Sequence, residues 1–111
     1  MKIAIPLAGG KLTAHFGHCQ DFAIIDVDEN NQITKNESLV PPAHEPGVLP
    51  RWLGELGVNI IIAGGMGQMA INLFNQNNIN VVTGAPPLEP EALVKSYLEQ
   101  TLTTGDNACN H

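Results

Sequence analysis

Val58-Asn59-Ile60-Ile61-Ile62-Ala63-Gly64-Gly65-Met66-Gly67-Gln68-Met69-Ala70-Ile71-Asn72-Leu73-Phe74-Asn75-Gln76-Asn77-Asn78-Ile79-Asn80-Val81-Val82 decides the fold. Val58 to Ala63 is a near-continuous apolar run, as expected of a strand buried on both faces. A glycine turn follows at Gly64–Gly67. Met66, Met69, Ala70, Leu73 and Phe74 then recur at helical spacing, which predicts a helix with those residues on its buried stripe. Asn77-Asn78 ends it, and Ile79–Val82 reads as the next short strand. Strand, helix and strand in about 25 residues make a crossover unit with parallel strands.

The same reading extends outward. Lys2–Leu7 is a first strand closed by Ala8-Gly9-Gly10. Lys11–Gln20 lacks a period and reads as a loop, with a short extended piece near Leu12. Phe22–Val27 and Gln32–Val40 form a hairpin around Asp28-Glu29-Asn30-Asn31. Pro41 to Gly47 holds three prolines, which bar a helix there. Val48, Leu49, Trp52, Leu53 and Leu56 mark a helix stopped by Gly57. Pro90 stands at the first position of a last helix, beside Glu89 and Glu91, with Leu93, Val94, Tyr97 and Leu98 on its buried side. The expected order is β-β-β-α-β-α-β-α: a single α/β domain with a five-stranded mixed sheet and flanking helices. Residues 1–102 are the expected domain, and 103–111 a flexible Cys-x-His tail.

Bulk properties narrow the function. One core can be buried in 111 residues without staples. The net charge of −6, with no basic cluster, argues against nucleic-acid binding, which needs Lys or Arg on phosphates. No run is long enough to span a membrane, and Met1–Leu7 is too brief for a signal segment, so a cytoplasmic protein is expected. In that compartment Cys19 and Cys109 are expected as thiols.

Two clusters carry possible chemistry. His15-Phe16-Gly17-His18-Cys19 puts three soft or borderline donors into five residues, with Gly17 to turn them inward. The plainer alternative is two surface histidines and a small buried cysteine. Cys109-Asn110-His111 could act as a two-tooth chelate, or be a frayed terminus. Both cysteines lie beside histidines, which favours one shared site. His44 stands alone in the proline-rich connector.

Gly64, Gly65, Met66 and Gly67 open a G-x-G-x-x-A match. The acidic residue that a dinucleotide motif needs after the next strand is missing, so NAD binding is rejected. What remains is a glycine turn whose N–H groups favour an anion at a helix N-terminus, or tight strand-to-helix packing. No nucleophile with an orienting acid and no paired carboxylates are recognisable, so the expectation is a non-enzyme.

MKIAIPLAGG, HFGHCQDFAIIDVD, GVLPRWLGELGVNIIIAGGMGQMAINLFNQNNINVV and GDNACNH together resemble the nitrogenase iron–molybdenum cofactor biosynthesis family, which includes NifX-like proteins and the C-terminal domain of NifB. The resemblance implies a ribonuclease-H-like fold without nuclease activity. It also implies carriage of an iron–sulfur or iron–molybdenum–sulfur cluster or precursor between assembly and acceptor proteins. His15, His18 and Cys19 match the family's loop, Cys109 and His111 a Cys-x-His ending, and His44 a histidine before the GVLPRWL-like helix. The rival readings are a single zinc-type ion held by the same residues and an acidic interaction module. A monomer and a homodimer are both compatible with an exposed edge strand.

Overall fold

The computed structural model describes residues 1–42, 47–102 and 104–105, except for the side chain of His18. His44, Cys109, His111 and the expected tail beyond Gly105 lie outside the described residues. The elements run β1 (Lys2–Ala8), β2 (Lys11–Leu12), a 3-10 turn (Phe16–His18), β3 (Asp21–Val27), β4 (Ile33–Leu39), α1 (Val48–Glu55), β5 (Ile60–Ile62), α2 (Gln68–Gln76), β6 (Asn80–Val82) and α3 (Pro90–Leu98).

Alternation along the strands sets the layers. Ile3, Ile5 and Leu7 of β1, Ala23, Ile25 and Val27 of β3, and Ile60 and Ile62 of β5 share one core with Leu93 and Val94 of α3. Their neighbours Ala4, Phe22, Ile24 and Ile61 share the other core with Leu49 and Leu53 of α1 and Phe74 of α2. The sheet is thus covered on both faces, which is why β5 carries three consecutive isoleucines. Each fully buried aliphatic side chain contributes about 1.5–3 kcal/mol through removal from water.

Strand order is β4-β3-β1-β5-β6, with β1 antiparallel to β3 and parallel to β5. β5 and β6 are parallel, as the crossover requires. Among the described residues the sheet has six strands, not the five expected. The sixth is β2, which pairs Leu12 with Leu7 and Lys11 with Ala8. Gly9 and Gly10 have φ of 66° and 83°, the two left-handed residues of a tight hairpin turn, so the chain folds back at once along β1. A two-residue strand shows no periodicity, but Gly-Gly is itself a hairpin signal.

The helices end alike. Gly57, Asn78 and Gln100 take φ of 86°, 61° and 61° just past α1, α2 and α3. In each the next N–H reaches back to the carbonyl five residues earlier: Val58 to Leu53, Ile79 to Phe74, Thr101 to Ser96.

The expected stripe of α2 is corrected. Met69 is 74% exposed, while Ala70 and Ile71 pack on the core with Phe74. Gly67 is the extended residue that caps the helix, so helical phase starts at Gln68. Met66, counted with the helix by spacing, is buried in the preceding loop. No helix among the described residues is long and apolar enough to cross a membrane.

Candidate functional site

The sheet continues as a ladder of loops beyond the C-terminal ends of β1, β5 and β6. His15 and Gly65 form an isolated parallel bridge. The Phe16 N–H donates to the Gly65 carbonyl at 2.8 Å, and the Gly65 N–H donates to the Ala14 carbonyl at 2.6 Å. One step on, the Gly84 N–H donates to the Gly64 carbonyl at 2.7 Å, and the Gly105 N–H to the Gly84 carbonyl at 2.7 Å. Four chain segments therefore stand side by side: the 13–16 loop, the glycine turn, the loop after β6, and the start of the C-terminal segment.

Two glycines make this closeness possible. A Cβ on Gly64 would sit 2.9 Å from the carbonyl oxygens of Thr13 and Ala14. A Cβ on Gly84 would overlap the Gly105 carbonyl, and its φ of 77° disfavours any side chain. The tight-packing reading of Gly64 thus has a physical basis. The Gly65 N–H, expected to face an anion, is instead taken by Ala14. Gly67 remains as the cap of α2, whose first-turn N–H groups have no intrahelical acceptor.

The loops enclose a cleft of about 150 Å³ lined by Thr13, Ala14, Gly64, Gly65, Gly84, Ala85 and Pro87. That is room for about five waters at their liquid volume, and among the described residues no charged side chain lines it. Thr13 is buried, and its hydroxyl donates to the His15 carbonyl at 3.2 Å, bracing the loop from within. Larger hollows at the β3–β4 turn and against α3 lie at the other end of the sheet.

The 3-10 turn separates the donors that five residues seemed to bring together. His15 precedes it in extended conformation with its side chain exposed. Phe16 is drawn inward, its ring 5.5 Å from Phe74 at 82° and 6.2 Å from Phe22. Cys19 closes the turn, its N–H donating to the Phe16 carbonyl at 3.2 Å. Its side chain is buried in the core between the sheet and α1 and α2. Burial above all, with a smaller push from Asp21, raises the Cys19 thiol to about 11, against a smaller opposing effect of a backbone hydrogen bond. Cys19 is therefore protonated near neutrality, which favours its reading as a small core residue. Gly17 needs no left-handed freedom, since its φ is not positive.

Among the described residues no group of three or more His, Cys, Asp or Glu could hold a metal ion. His15 is the one expected ligand whose described side chain stands at the loop ladder. Gly84 and Thr13, which build the ladder, escaped sequence reasoning. A signal existed for Gly84: consecutive parallel strands each end near a glycine, Gly64 and Gly84, and these two bond directly.

Comparison with known proteins gives the kinship. The chain is 34% identical over 107 residues to the uncharacterized protein MJ0580 of Methanocaldococcus jannaschii, covering 92% of this chain and 89% of the relative. The solved structure of PH0822 is similar with a TM-score of 0.84 and 28% identity, covering 95% and 96% of the two chains. The apo form of the orange protein from Desulfovibrio gigas has a TM-score of 0.75 at 19% identity, covering 96% and 93%, a likeness of fold. The model of the family described as dinitrogenase iron-molybdenum cofactor matches residues 1–100, and the chain belongs to that family.

Proposed function

We propose that the chain is a non-enzymatic carrier of an iron–sulfur or iron–molybdenum–sulfur cluster, or a precursor of one, bound as cargo at the loop ladder. The observation that carries this reading is the convergence of the His15 loop, the glycine turn and the start of the C-terminal segment at one end of the sheet. Ligands in open α/β sheets sit outside the carboxyl ends of the strands. Family membership supports a role in iron–molybdenum cofactor chemistry. The strand order, with the first strand central and an antiparallel hairpin on one side, supports a ribonuclease-H-like sheet.

His15 supplies an imidazole at the rim. His18, one turn on, is a second candidate, and His44 a third from the connector before α1. Cys109 and His111 follow the anchored Gly105 by four and six residues. Extended chain of that length reaches roughly 14 and 21 Å, so both can return to the cleft. Thiolate and imidazole suit a soft thiometallate, and the first turn of α2 offers positive charge to an anionic one. Cys19 stays with the core. The cleft is small for a whole cluster, so it seats one edge and the tail covers the remainder. Delivery to and from assembly and acceptor proteins of the cytoplasm completes the reading.

Anaerobic reconstitution followed by metal and sulfide analysis tests it. Wild type should take up several metal atoms with sulfide. His15→Ala and Cys109→Ser should each lower uptake at least severalfold, and Cys19→Ala should leave it near wild type. One colourless metal per chain, or none, overturns cluster carriage.

A further inference from the structure

The two edges of the sheet differ. β6 is three residues long, and the Gly105 segment continues alongside the loop that follows it. β4 is seven residues long and ends the sheet on the other side. Among the described residues no strand lies beside its outer N–H and C=O groups, and such a row templates pairing with another strand.

Charge decides what fits there. β4 reads Ile33-Thr34-Lys35-Asn36-Glu37-Ser38-Leu39. Pairing two copies antiparallel about a two-fold axis normal to the sheet keeps helix-covered faces on the same side. Residues facing each other then share parity, so the axis falls on a residue. Centred on Lys35 or on Glu37, it sets like charges opposite each other, which is destabilising. Centred on Asn36, it sets Lys35 against Glu37 twice, Thr34 against Ser38 twice, and Asn36 against itself. Lys35 and Glu37 already approach at 3.7 Å within one strand, with side chains 60% and 42% exposed, so both are available across such an axis.

We propose that β4 is a homodimerisation edge, joining two copies of the chain antiparallel about Asn36 into one continuous sheet. One strand pair buries less than the roughly 1,200 Å² of a stable interface, so the dimer is weak and concentration-dependent. Both loop ladders stay uncovered, because they lie beyond β1, β5 and β6.

Sedimentation equilibrium from micromolar to millimolar protein tests this. Wild type should rise from 11.9 kDa toward twice that mass. Lys35→Glu alone and Glu37→Lys alone should each stay monomeric, since each places like charges opposite each other twice. Mixed one to one, they should dimerise again, because every facing pair is then unlike. Rescue by mixing needs both variants folded and cannot come from damage to either. A wild type that stays monomeric to millimolar concentration overturns the proposal. So does a dimer that survives both single variants unchanged, or a mixture that remains monomeric.

Discussion

Cys19 and His15 are four positions apart, yet the fold gives them opposite surroundings. The turn that draws Phe16 into the core carries Cys19 in beside it and leaves His15 outside. Sequence spacing could show three donors in one loop but not which way each faced, because a single turn of 3-10 helix reorients the side chains. The buried thiol has a testable consequence. Its pKa is raised in the folded protein, to about 11, against about 8.5 when exposed in the unfolded chain. Between those values the folded state holds the proton that the unfolded state has lost. Stability therefore falls as pH rises through that window, and the contribution is intact below it. The loss by pH 11 should be about 2–3 kcal/mol greater in wild type than in Cys19→Ala. Urea denaturation of both at pH 7.5 and pH 11 checks this. Equal losses would show that the thiol is accessible and ionises normally, and would return Cys19 to the candidate ligands.

The elements were legible where hydrophobic pattern and terminators agreed. The three isoleucines of β5, the Asn77-Asn78 stop of α2 and Pro90 at the start of α3 each combine a pattern with a cause. The extended piece near Leu12 was legible too, but its pairing as a sixth strand and the phase of α2 were not, since two residues have no period and one cap residue shifts a helical stripe. The shared helix ending yields opposite predictions at two equivalent places. Gly57 fits its left-handed position, whereas Gln100 bears a strain of about 1 kcal/mol there. Gly57→Ala should lower stability by about 1 kcal/mol, and Gln100→Gly should raise it by about 0.5–1 kcal/mol. Shifts of the urea midpoint with unchanged slope would show both. If Gln100→Gly destabilises instead, glycine's flexibility in the unfolded chain outweighs the strain relieved. The loop ladder makes a further prediction, since a side chain on Gly84 cannot coexist with the Gly105 carbonyl. Gly84→Ala should release the Gly105 amide from its hydrogen bond while the amides of β5 and β6 stay protected. Hydrogen exchange followed by NMR reads each amide. Protection lost equally throughout β6 would mean that Gly84 stabilises the sheet rather than anchoring the C-terminal segment.

Across the whole molecule, charge and site pull against each other. The chain carries a net charge of −6, and among the described residues no charged side chain lines the cleft at the loop ladder. A thiometallate is an anion, so its approach is opposed at long range and favoured only within reach of the first-turn N–H groups of α2 and the imidazoles of the loops. Long-range repulsion is the part that salt removes: the screening length falls from about 30 Å at 0.01 M to about 8 Å at 0.15 M ionic strength. Contacts made at the cleft lie inside that length and change much less. Added salt should therefore speed uptake, the reverse of electrostatically steered binding. Stopped-flow mixing with tetrathiomolybdate, followed by its visible absorbance, should show an association rate severalfold higher at 0.15 M than at 0.01 M sodium chloride, with the dissociation rate little altered. A rate that falls with salt would require a positive surface that the described residues do not present, and would locate anion capture outside the loop ladder.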